Sequence, residues 1–86
     1  MPALELILLT RPGCHLCDDA KAVMQPVLKE FGATLREVDV DSDEALRAEH
    51  GLDIPVVLLG SRKLAKHRVD LEQLRRQLRE ASREAG

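Results

Sequence analysis

The stretch TRPGCHLCDDA, Thr10 to Ala20, decides how this chain is read. It follows LELILL (Leu4–Leu9), a short and nearly continuous apolar run of the kind expected for a strand buried on both faces. Pro12 and Gly13 end that run. Asp18 and Asp19 then occupy what would be a first helical turn, where acids are favoured by the helix dipole. Apolar residues at Leu16, Ala20, Val23, Val27 and Phe31 recur at helical spacing, which predicts a helix from about Cys14 or His15 to Phe31, with Gly32 as its stop. Pro26 lies inside it, removes one backbone hydrogen bond and should bend it. The stretch is therefore a strand–loop–helix junction, and it carries both cysteines of the chain, Cys14 and Cys17.

Beyond Gly32, TLREVDV (Thr34–Val40) alternates well enough for a strand but carries Arg36, Glu37 and Asp39, as an edge strand would. Asp41 to Glu44 has the spacing of a capping box, with Asp in place of Ser or Thr, and predicts a short helix through His50 that ends at Gly51. PVVLLG (Pro55–Gly60) is the second fully apolar strand. Gly60-Ser61 marks a turn, and RKLAKH (Arg62–His67) returns antiparallel. Asp70 caps the last helix, with Gln73 at the third helical position and Val69 and Leu74 spaced as a hydrophobic staple. Leu71, Leu74 and Leu78 form its apolar stripe, and the polar REASREAG (Arg79–Gly86) should fray. The order is β-α-β-α-β-β-α: a right-handed βαβ unit, then a hairpin and a helix, with strands one and three in the middle of the sheet.

The chain has 86 residues, enough for one domain, taken as residues 1–86, that buries about 60% of its unfolded surface. Phe31 is the one aromatic residue, so aliphatic side chains fill the core, and platforms for stacking nucleic-acid bases are missing. A net charge of -2 with 33% charged residues describes a balanced surface without a basic footprint. No stretch approaches the ~20 apolar residues of a membrane span. The start, MPALELILLT, lacks a basic region and a small-residue cleavage site and carries Glu5, so a secretory signal is not expected. Two cysteines are too few for the disulfide framework of a small secreted domain. The expected compartment is the reducing cytoplasm, where a CxxC is more often catalytic or metal-binding than structural.

Three readings of Cys14 and Cys17 compete. They could be two space-filling thiols. They could form a metal site: copper chaperones also place a CxxC at a strand–loop–helix junction, but their fold continues as a hairpin where Asp43–His50 here reads as a helix. A tetrahedral zinc site needs two further ligands, and His15, His50, His67 and the carboxylates show no second spacing of that kind. Or they could be a redox pair. Cys14 meets the unpaired N–H groups of a helix N-terminus, which stabilise a thiolate, and Arg11 and protonated His15 add positive charge. Asp18 and Asp19 oppose this, but the balance favours a lowered Cys14 pKa. Cys17 lies one turn later on the same face, close enough to close a small disulfide ring.

RPGCHLC after LILLT, DIPVV about forty residues on, and the element order together resemble the glutaredoxin-like proteins of the thioredoxin-fold superfamily, in particular the small bacterial group with a C-H-L-C active site. The resemblance runs from Leu4 to Leu78. It implies a thioredoxin-like α/β fold with a mixed four-stranded sheet flanked by helices, and thiol–disulfide oxidoreductase activity. Cys14 would be the nucleophilic and Cys17 the resolving cysteine. Ile54-Pro55 matches the dipeptide whose proline is cis and faces the site. Arg11, His15, Ile54, Pro55 and Asp70 are the expected substrate-binding residues. The resemblance implies no metal and no tightly bound cofactor, with protein or small-molecule disulfides as partners. Glutathione is a candidate co-substrate, a thioredoxin-reductase-type enzyme the other candidate reductant, and a monomer is expected.

This chain departs from the typical glutaredoxin pattern at three places. Thr10 stands where a tyrosine precedes the site, and His15-Leu16 replaces Pro-Tyr. Lys66-His67-Arg68-Val69-Asp70 replaces a Gly-Gly followed by Asp. Weak glutathione binding is the expectation, with Lys66, His67 and Arg68 forming either a solvated rim or a basic edge beside the site. The alternatives are a metal-trafficking module using the same thiolates, and an adaptor that binds partners through the Ile54-Pro55 loop without turnover.

Overall fold

Leu6 and Leu8 pack to one side of the sheet, Ile7 and Leu9 to the other, and this alternation within the first strand organises the fold. The computed structural model describes residues 4–85. It contains β1 (Glu5–Thr10), α1 (His15–Phe31), β2 (Thr34–Asp39), a 3-10 turn (Val40–Ser42), α2 (Glu44–His50), β3 (Val56–Leu59), β4 (Arg62–Lys66) and α3 (Leu71–Ala85). The sheet order is β2-β1-β3-β4. β1 runs parallel to β2, Glu5 opposite Thr34 through Thr10 opposite Asp39, and antiparallel to β3, Leu9 opposite Val56. β3 and β4 form an antiparallel hairpin with a register shift between Val57 and Leu58. The mixed four-stranded sheet flanked by three helices is the expected α/β architecture, with the two apolar strands central and the polar β2 at an edge.

The two faces are unequal. On one, Leu6, Leu8 and Val57 pack against Met24, Val27 and Leu28 of α1 and Leu74 and Leu78 of α3, with Leu64 from β4. Each such side chain contributes about 1.5–3 kcal/mol by leaving water. On the other face the buried cluster is Leu9, Val40 and Val56, joined by half-buried Ile7, Val38, Leu46, Ile54 and Leu58.

α1 ends at Gly32, whose φ of 60° is the left-handed turn a Cβ resists. Its N–H returns to Lys29, and the Ala33 N–H reaches the Leu28 carbonyl. The helix continues through Pro26 as one element.

Four sequence expectations need correction. The buried face of α1 is Cys17, Ala20, Met24, Val27 and Leu28, rotated one residue from the expected stripe; Leu16 and Val23 are exposed. The cap of α2 is Asp43, whose carboxylate accepts the N–H groups of Ala45 and Leu46, while Asp41 points elsewhere. β2 and β4 each end one residue early: Val40 enters the 3-10 turn, and His67 takes a φ of 66°. α3 does not fray at Arg79 but runs to Ala85, held by buried Ala81 and an Arg62–Glu84 ion pair; Gly86 lies outside the described residues.

Candidate functional site

The turn between β1 and α1 sets the position of Cys14. The Cys14 N–H donates to the Arg11 carbonyl at 3.1 Å. Pro12 is preset for the second position of that turn, and Gly13, with φ 81°, takes the left-handed third position of a type II turn. Cys14 emerges extended, φ -83° and ψ 106°, as the N-cap of α1. Its Sγ accepts the Cys17 N–H at 3.2 Å, the place a Ser or Asp oxygen usually fills. Cys14 is half-buried, whereas Cys17, inside the first turn, is 2% exposed. The two are joined as a disulfide with Cα atoms 5.3 Å apart, inside the usual range for such a bond.

His15 opens α1 and is exposed. Arg11 is not a free cation beside the thiols. Its guanidinium donates twice to Asp41, at 2.8 and 3.0 Å. This hydrogen-bonded contact raises the Arg11 pKa and holds the Asp41 carboxyl below its ordinary value. The charge that Arg11 offers Cys14 is therefore partly cancelled by its partner.

The second wall comes from the segment before β3. The Ile54–Pro55 peptide bond is cis, Pro55 is buried and Ile54 half-buried. Since Leu9 pairs with Val56, Pro55 borders the end of β1 from which the chain continues to Cys14. The backbone N–H of His67 bonds both the Asp53 carbonyl at 3.1 Å and the Pro55 carbonyl at 2.9 Å. The His67 imidazole lies 3.5 Å from the Asp53 carboxylate. Asp70 accepts the Gln73 N–H at 2.9 Å, so one of its oxygens caps α3.

A groove of about 240 Å³ lies between α1 and the segment before α3, lined by Leu16, Asp19, Ala20, Val23, His67, Arg68 and Val69. The structure thus brings Cys14, Cys17, His15 and Arg11 onto one junction, with Ile54-Pro55 entering β3 alongside. Asp70 sits one residue beyond the groove. Sequence reasoning missed Asp41 and Asp53, whose roles depend on long-range partners, and assigned Leu16 and Val23 to the core. The signal available for Leu16 was its place between two cysteines at a helix start. Among the described residues, no group of three or more His, Cys, Asp or Glu is placed to hold a metal ion, and no helix is long and apolar enough to cross a membrane.

The family model described as Glutaredoxin-like domain (DUF836) matches residues 5–79. The chain is similar to a glutaredoxin-like protein of Dictyostelium discoideum, 31% identical over 78 residues, covering 84% of this chain and 72% of that one. It is similar to a solved structure from X. campestris, with a TM-score of 0.68 and 34% identity, covering 85% of this chain and 93% of that one. Thioredoxin-2 of a malaria parasite shares the fold, with a TM-score of 0.64 at 21% identity over 91% of this chain and 82% of that one.

Proposed function

This chain belongs to the glutaredoxin-like family, and from that premise we propose that it is a thiol–disulfide oxidoreductase working through Cys14 and Cys17. The observation that carries the reading is the asymmetry of the pair. Cys14 caps the helix and accepts an amide, while Cys17 is covered inside the first turn. An amide hydrogen bond and a helix N-terminus both favour a thiolate over a thiol at Cys14.

With the pair reduced, the Cys14 thiolate attacks one sulfur of a substrate R–S–S–R′. The substrate S–S bond breaks, R′S⁻ leaves and takes up a proton, and R remains disulfide-bonded to Cys14. The Cys17 thiol, losing its proton, then attacks Cys14 Sγ and releases RS⁻. The dithiol has become a disulfide, and its two electrons reside on RSH and R′SH. Glutathione or a thioredoxin-reductase-type enzyme would restore the dithiol. No metal or tightly held cofactor enters either step. The protein would act as a monomer in the cytoplasm, on protein or small-molecule disulfides.

His15, Ile54 and Pro55 would receive the substrate. Arg11 and Asp70 would act at the periphery, since each already serves a partner within the chain. Glutathione should bind weakly, because Lys66 and His67 stand where the family pattern has glycines. The experiment is mass measurement after equilibration in graded thiol buffers. One two-electron transition between dithiol and disulfide is expected. A pair that stays reduced throughout, or that retains stoichiometric zinc or copper through chelation, refutes the reading.

A further inference from the structure

Thiol–disulfide exchange alone gives no role to three apolar side chains. Among the described residues, the large hydrophobics exposed to solvent are Leu16 at 51%, Val23 at 36% and Leu52 at 95%. Leu16 stands between the cysteines, and Val23 lies two turns further along the same face of α1. Leu52 directly precedes Asp53, the residue that meets His67. Two of the three, Leu16 and Val23, therefore form an exposed apolar stripe on α1 that begins between the cysteines. Leu16 and Val23 wall the groove of about 240 Å³ on one side, with Val69 on the other. Arg68 stands on its rim. Among the described residues its guanidinium has no carboxylate partner, whereas Arg11, Arg62 and Arg75 each hold one.

We propose that this groove selects disulfides carried by polypeptides: it receives an apolar side chain next to the attacked cysteine and, at Arg68, a carboxylate one or two residues beyond. The proposal rests on the exchange reading and names its substrate. Glutathione flanks its cysteine with a γ-glutamyl group and a glycine, neither of which has a side chain to cover Leu16 and Val23. The carboxylate belongs on the Arg68 side because Asp19, on the α1 wall, repels it there. Chemically, Cys14 attacks the substrate sulfur with the apolar neighbour, the second substrate sulfur leaves as a thiolate, and Cys17 releases the first. Two electrons pass from the protein dithiol to the two substrate thiols.

The test offers the fully reduced protein, in single turnover, a set of disulfides with 2-mercaptoethanol. Three are cysteinyl peptides carrying Leu and Glu, Ser and Glu, or Leu and Lys at the adjacent and following positions. The fourth is the same disulfide of glutathione, and bis(2-hydroxyethyl) disulfide is the fifth. Each rate is divided by that with free dithiothreitol, which removes intrinsic reactivity. Partial burial of one leucine predicts a preference of about tenfold for Leu over Ser. A rim charge predicts about threefold for Glu over Lys. Val23→Ser should cut the first preference to below about twofold, and Arg68→Glu should invert the second. Equal rates for the peptides, or a glutathione disulfide that outruns the Leu-Glu peptide, overturn the groove while reduction of bis(2-hydroxyethyl) disulfide keeps the exchange reading intact. Failure with all five disulfides removes the exchange reading, and the groove proposal with it.

Discussion

The two faces of the sheet differ in how they are filled. The α1–α3 face buries nine side chains in one cluster, from Leu6 to Leu78. The α2 face buries three, and its helix has 7 residues against 17 in α1. The thick face anchors the helix that carries the cysteines; the thin face supplies the loop that approaches them. Packing is densest beneath the helix whose Cys17 N–H donates to the Cys14 Sγ. The loop from Asp53 to Pro55 is tied instead by the paired hydrogen bonds of the His67 N–H.

The largest expected effect lies at the cysteines, which divide between packed interior and surface. Cys14→Ser should lower exchange by about a thousandfold or more, because the thiol that remains, Cys17, is 2% exposed and out of a substrate's reach. Cys17→Ser should instead leave a long-lived mixed disulfide on Cys14, visible by mass. Iodoacetamide at about pH 6.5 should label Cys14 well before Cys17 in the reduced protein. Equal labelling, or trapping on Cys17, would break the division.

Next come the cores themselves. Leu78→Ala on the thick face should cost about 2–5 kcal/mol, a large share of a small domain's stability. Leu46→Ala, half-buried on the thin face, should cost about 1 kcal/mol. Urea midpoints at unchanged m separate the two. Similar losses would mean that the faces are equally well packed. The helix caps sharpen the contrast. Asp70→Ala and Asp43→Ala should each cost about 1 kcal/mol. In addition, Asp43→Ala should raise amide exchange across α2, a helix too short to persist without its cap.

The smallest effect concerns the Arg11–Asp41 pair. Asp41 has a folded pKa below its ordinary 3.8, so its contribution is present above that value and is lost as pH falls through the folded pKa. The urea midpoints of the wild type and Arg11→Ala should differ slightly at neutral pH and converge under strong acid. A difference that persists in acid would assign Arg11 another role.

Most of this architecture was legible because β1, α1 and β3 carry local signals: apolar runs, Pro-Gly punctuation and Gly32 as a stop. The errors arose where long-range contacts decide. Leu16 and Met24 are both apolar, so spacing alone could not tell which face of α1 meets Leu78. Asp39, Asp41 and Asp43 all have capping chemistry. Only the fold shows that Asp43 caps α2 while Asp41 takes Arg11. α3 outlasts its polar composition because Ala81 finds the core and Glu84 finds Arg62. At the site, the cysteines and Pro55 were readable from their neighbours, but Asp53 was not, since its meeting with His67 spans two loops.

The Cys14–Cys17 ring spans only three residues of separation, and this has a mechanical consequence. Stretched end to end, the chain has a contour length of about 290 Å. Closing the ring holds the two Cα atoms at 5.3 Å and withholds only about 5 Å of that length. Under a pulling force, the oxidised and reduced molecules should pay out almost the same length of chain. Breaking this bond takes up two electrons and frees almost no length of chain.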